Sequence, residues 1–160
     1  MGLEGQEAAL EFTLLVTEFT HLEHTMERVL SLIMKSDEMT AAHVMRSIVS
    51  ANARIQLMRN LLERARHNSD KTSEYDEIIE EYSKINTNRN EFVHARWYTN
   101  IQSGKIFIIK RSDDKLIVDI AAKKEFDVKE FKSVRTRILN LTNKIYKLLA
   151  IEAENVELKG

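Results

Sequence analysis

Cysteine and proline are both missing from this chain of 160 residues, and glycine occurs four times. Without cysteine there is neither a disulfide framework nor a thiolate metal site. Without proline, and with Gly2, Gly5 and Gly160 close to the ends, almost nothing in the interior interrupts a helix. Few, long elements are therefore expected. No run of about 18 apolar residues spans a bilayer, so no membrane partner is expected. Met1–Gly5 shows no basic region followed by an apolar run, so no signal peptide is expected and a reduced, cytosolic setting is the default. Apolar residues make up 43% and charged residues 31%. That is a globular mixture, and the length suits one domain over 1–160.

The formal net charge of −1 hides an asymmetry. Residues 1–88 carry 9 Lys+Arg against 15 Asp+Glu, whereas residues 89–147 carry 14 against 7. A basic half can focus a polyanion even on a neutral protein; charges scattered over solvated helical faces are the alternative.

Phe12, Leu15, Phe19, Leu22, Met26, Val29 and Ile33 recur at spacings of three and four, which predicts one amphipathic helix over 5–34. Ser36 or Asp37 offers the next N-cap. Met45, Ile48, Ala51, Ile55, Met58, Leu62 and Ala65 predict a second helix, fading at the polar stretch 66–70. A third begins near Ser73 and carries Tyr75, Ile78, Tyr82 and Ile85. Asn86-Thr87-Asn88 favours caps and turns, so a kink or a new helix start is expected there, with helix resuming through Phe92, Val93 and Trp97.

The runs Lys105–Lys110 and Leu116–Ile120 predict a β-hairpin over about 105–121. Asp127 and Glu130 then form a capping box, flanked by the staple positions Phe126 and Phe131. The last helix follows with Phe131, Val134, Ile138, Leu141, Ile145 and Leu148 on one stripe. The fold class is thus mainly α: an up-and-down bundle of four to five helices with one β-hairpin inserted before the last helix.

The segment Arg89-Asn90-Glu91-Phe92-Val93-His94 combines an arginine, a polar residue directly after it and a histidine five positions on. In composition of this kind chance supplies about one bare Arg–His pair at such spacings, and requiring a polar Asn, Asp or His after the arginine cuts that several-fold. No other Arg–His pair in the chain has both features. The segment resembles the Arg-Asn-x-x-x-His motif of the HEPN superfamily, helical nucleic-acid-processing domains. The resemblance rests on six residues and on the bundle in outline, with the hairpin outside the family's shared helical core.

The resemblance implies RNA as a partner, a homodimer pairing two motifs in one cleft, and metal-independent cleavage to a 2′,3′-cyclic phosphate. Arg89 would clamp a phosphate whose charge grows during transfer. His94 would move the proton, and Asn90 would orient the phosphate or the histidine. Arg96, Lys105, Lys110 and Arg111 would contact the RNA backbone, giving affinity rather than sequence choice. No cofactor and no metal are implied. Some members are modified by a partner nucleotidyltransferase at a tyrosine two residues past the histidine; here that position holds Arg96 and the nearest tyrosine is Tyr98, a departure from that version of the family.

On an unbroken helix, Arg89 and His94 lie about 140° apart, so a kink or a partner subunit must bring them together. Failing that, Arg89 pairs with a neighbouring carboxylate, His94 is a satisfied histidine, and the protein is a non-catalytic helical interaction module or adaptor. His21 and His24 share a metal-compatible spacing but lack a third ligand, and a solvated face explains them better. No glycine-rich phosphate loop, zinc helix or serine nucleophile elbow is present.

Overall fold

A computed structural model describes residues 3–66, 72–100, 103, 105–109 and 124–157. Helix α1 spans Leu3–Met34, α2 Glu38–Ser47, α3 Ala51–Arg66, α4 Thr72–Val93 and α5 Lys129–Glu157. Between α4 and α5 lie strands β1 (Arg96–Thr99), β2 (Ile106–Ile109) and β3 (Lys124–Glu125). The architecture is a helical bundle with an antiparallel hairpin inserted before the last helix. Among the described residues no helix is long and apolar enough to cross a membrane.

The apolar stripe of α1 becomes the spine of the core. Leu15, Phe19, Leu22, Met26, Val29 and Leu30 are all fully or almost fully buried. Burying each such side chain contributes about 1.5–3 kcal/mol. α1 ends in a Schellman turn: the Ser36 amide donates to the Ser31 carbonyl at 3.0 Å and the Lys35 amide to that of Leu32 at 3.2 Å. Lys35 takes the left-handed position with φ 53°. Asp37 then caps α2, accepting from the Thr40 amide at 2.9 Å.

The helix expected from Asp37 to Arg66 is two helices. Ile48 adopts an extended conformation at φ −98°, ψ 110°, and Ser50 starts α3, with its carbonyl accepting the Arg54 amide at 3.0 Å. The Arg54 side chain caps the break by donating from Nε to the Ile48 carbonyl at 2.7 Å. The apolar periodicity runs through the interruption because both helices bury the same side against α1, so pattern alone conceals it.

α4 shows the reverse. The expected break at Asn86-Thr87-Asn88 does not occur, and the helix continues to Val93. These polar residues find partners elsewhere: Asn88 Oδ1 accepts from Arg137 at 2.9 Å, Asn86 is 2% exposed, and Thr87 bonds back to the Ser83 carbonyl. Tertiary satisfaction of the amides overrides their local preference for turns.

Trp97, expected on a helix, lies on β1, where it pairs with Ile108. β2 is the middle strand, antiparallel to β1 on one side and to β3 on the other. Its partner in the described hairpin is therefore Arg96–Thr99. The proposed second strand Leu116–Ile120 lies outside the described residues.

A ring cluster fixes this region to the bundle. Phe131 lies 5.7 Å from Phe12, 5.0 Å from Phe92, 5.6 Å from Trp97 and 4.5 Å from Phe126, centroid to centroid. The Phe126–Phe131 contact is the staple expected at the start of α5. Asp127 serves as its cap, accepting the Lys129 amide at 2.9 Å. The Trp97 indole donates to the Phe92 carbonyl at 3.2 Å, which also accepts the Ala95 amide at 3.3 Å, so the indole adds a second bond to an acceptor at the end of α4.

Candidate active site

The sequence motif occupies the last turn and a half of α4 and closes that helix rather than opening one. Because the helix is unbroken through Val93, Arg89 and His94 project in different directions. No hydrogen bond joins them among the described residues. His94 sits one residue past the helix end and is exposed; its amide still donates to the Asn90 carbonyl at 3.0 Å.

Arg89 is half-buried against α1. Its Cζ lies 5.2 Å from the Phe19 ring centre, a cation–π contact. Nη1 donates to the Asn90 Oδ1 at 2.9 Å, and Asn90 in turn makes a long contact, 3.5 Å, to the buried Asn86 Oδ1. Asn90 thus orients the arginine rather than the histidine. Arg89 Nε is buried without a hydrogen-bond partner, and no carboxylate among the described residues pairs with the guanidinium.

A second unpartnered polar atom lies nearby. The Tyr82 ring stacks on Phe19 at 6.0 Å with planes 11° apart, is fully buried, and leaves its hydroxyl without a partner. Burial pushes this phenol well above its ordinary range, the Glu23 carboxylate adds to the shift, and Arg54 and Arg89 oppose it. Glu23 accepts from Arg54 Nη1 at 3.2 Å. Phe19 and Glu23 are four residues apart on α1 and therefore share a face. One turn of α1 brings Arg89, Tyr82, Arg54 and Glu23 into one neighbourhood.

Among the described residues, most of the basic side chains of α5 are paired rather than open to a polyanion. Arg135 is held by Glu11 and Glu18, Arg137 by Glu81, Lys132 by Glu7 and Lys144 by Glu77. The acidic first half and the basic last helix neutralise each other across helix pairs. Of the expected backbone contacts, Lys105 pairs with Glu125 and Arg96 is already engaged. Lys110 and Arg111 lie outside the described residues.

His24 faces Glu27 at 3.5 Å, and His21 meets the Tyr146 hydroxyl at 3.3 Å. No group of three possible metal ligands gathers among the described residues. Tyr82 and Phe19 were visible in the sequence as core stripe positions, and nothing in the pattern marked them as neighbours of Arg89. Asn86 carried a signal, but one that pointed to a break.

The chain matches no protein-family model, and neither a curated protein nor a solved structure similar to it is found.

Proposed function

We propose that this protein is a HEPN-like RNA-binding protein and metal-independent endoribonuclease that works as a homodimer. The observation carrying the reading is Arg89: a half-buried guanidinium with no carboxylate partner among the described residues, aimed by Asn90 and followed at the helix end by an exposed histidine. A purely structural arginine at such a site would be paired, because an unpaired buried charge is costly. Two copies related by a two-fold axis would supply what one chain lacks, since Arg89 and His94 diverge within a protomer.

In the proposed reaction the ribose 2′-oxygen attacks the adjacent phosphorus and the bond to the 5′-oxygen breaks. One His94 takes the 2′-hydroxyl proton and the other protonates the leaving 5′-oxygen, giving a 2′,3′-cyclic phosphate and a 5′-hydroxyl. Arg89 would offset the charge gathering on the phosphoryl oxygens.

A second reading is a non-catalytic helical adaptor, favoured by the internal neutralisation of the basic helix α5. Incubating purified protein with mixed RNA in EDTA separates the two. Cleavage lost in both His94→Ala and Arg89→Gln, by a protein that elutes as a dimer, supports the nuclease. A monomer that neither binds nor cuts RNA supports the adaptor.

A further inference from the structure

The break between α2 and α3 falls in a segment whose sequence is that of one helix. Met45, Ile48, Ala51 and Ile55 keep spacings of three and four through it, and Ser47-Ile48-Val49-Ser50 holds neither glycine nor proline. Yet Ile48 is extended, and among the described residues the amides of Val49, Ser50, Ala51 and Asn52 donate to no backbone carbonyl. A continuous helix would give those four amides the carbonyls of Met45, Arg46, Ser47 and Ile48. Local capping replaces little of this: Ser50 Oγ accepts from the Ala53 amide at a long 3.4 Å.

One of those carbonyls is already taken. Arg54 Nε donates to the Ile48 carbonyl at 2.7 Å, the acceptor that the Asn52 amide would use in an unbroken helix. Nη1 of the same guanidinium donates to Glu23 on α1 at 3.2 Å, and both side chains are partly buried. A side chain of α3 therefore competes with the helix's own ladder, and α1 holds it in place. Bonds from a charged donor outlast neutral ones, which favours the guanidinium over the amide.

The two arms are held unequally. α3 buries Ile55, Met58 and Leu62 and is tied to α4 through Arg59 and Glu80. α2 has ten residues and buries Ala41 and Met45 alone, and its ion pairs to α1, Arg46 with Glu27 and Arg28 with Glu38, lie at the surface. A helix so short does not stand without its packing. When the break closes, α2 is the part that moves.

We propose that residues 38–66 are a two-state arm: Arg54, held by Glu23, wedges the helix open at Ile48, and release of that guanidinium lets α2 and α3 join into one helix, with α2 shifting on α1. Nothing in this switch depends on RNA, so it stands or falls apart from the nuclease reading.

Hydrogen exchange and Cα chemical shifts, read by NMR on wild type, Arg54→Leu, Glu23→Gln and Arg59→Leu, test it. In the wild type the amides of residues 49–52 should exchange near the free-chain rate while those of residues 55–62 are protected. Arg54→Leu, which keeps an apolar stem and favours helix, should slow exchange at residues 49–52 at least about tenfold and move Ile48 and Val49 to helical shifts. Glu23→Gln, which removes the charge that holds Arg54 and leaves the break itself untouched, should give a mixture of the two states. Arg59→Leu makes the same change further along α3, where the guanidinium serves Glu80, and should leave the break as it is.

Slow exchange at residues 49–52 in the wild type, an unchanged break in either Arg54→Leu or Glu23→Gln, or a break that closes equally in Arg59→Leu overturns the proposal. Should Arg54→Leu fail to fold, Glu23→Gln decides on its own.

Discussion

Arg135 grips Glu18 through two parallel bonds, Nε to Oε2 at 3.0 Å and Nη2 to Oε1 at 2.6 Å. A further bond from Nη1 reaches Glu11, so one guanidinium on α5 spans two turns of α1. The Glu18 bonds, outweighing the cost of partial burial, together with Glu11 hold this group even more firmly protonated than a free arginine. Replacing Arg135 by Ala leaves two half-buried carboxylates facing each other. Partial exposure moderates the penalty, and a loss of about 2 kcal/mol in urea unfolding is expected. Adding Glu11→Gln and Glu18→Gln should recover most of it; an unchanged midpoint in the single variant would show that the latch contributes nothing.

Lys35 holds a left-handed backbone at φ 53° at the end of α1, a conformation that costs a residue with a Cβ roughly 1–2 kcal/mol. Glycine adopts it freely, although it adds entropy to the unfolded chain. Lys35→Gly should therefore stabilise the fold by about 0.5–1 kcal/mol, read as a higher melting temperature. Lys35→Val should lower it.

Acid should weaken the α1–α2 contact. Partial burial pushes the Glu27 carboxyl up, but hydrogen bonds from Arg46 and His24 and their charges outweigh it and hold the group below its ordinary 4.5. A depressed folded-state value means the stabilisation is complete above the free carboxylate range and is lost as pH falls through the lowered one. Unfolding midpoints measured from about pH 6 down to about pH 3 should fall more steeply for wild type than for Arg46→Gln. Parallel curves would exclude the pair as a source of acid sensitivity.

Trp97 is the only tryptophan, so its fluorescence reports the junction of α4, β1 and α5. It packs edge-on against Phe126 at 5.1 Å and donates to the Phe92 carbonyl at 3.2 Å. Trp97→Ala should cost about 2–3 kcal/mol. Trp97→Phe keeps the ring contact but not the hydrogen bond, and should cost nearer 1 kcal/mol. Equal losses in the two variants would mean that packing there is of little consequence.

The helical architecture could be read from the sequence because apolar spacing reports burial directly. Phe12 to Ile33 and Phe131 to Leu148 marked α1 and α5, and Asp127 with Phe126 marked the start of the latter. Periodicity was silent where two helices bury a common side, so the break at Ile48–Ser50 was hidden. Local propensity misled at Asn86–Asn88, whose amides are satisfied by Arg137 and by neighbouring turns rather than by a cap. The hairpin was foreseen through Ile106–Ile109, but its partner strand was not, because Trp97 fits a helical stripe as well as a strand. At the candidate site, the sequence supplied Arg89, Asn90 and His94. The company Arg89 keeps, Phe19 and Tyr82 above all, depends on how α1 and α4 meet, which no single-helix pattern encodes.

The first and last helices lie side by side and run in the same direction: Lys132 reaches Glu7, and Tyr146 reaches His21. During synthesis, then, the oily flank of α1 has to wait for α5, with Lys132 made 125 residues after the Glu7 it pairs with, before it is covered. A nascent chain halted before α5 offers that flank to anything nearby, and contacts of such long sequence separation form late. Expression yield should accordingly respond to chaperone supply more sharply than the stability of the finished protein would suggest.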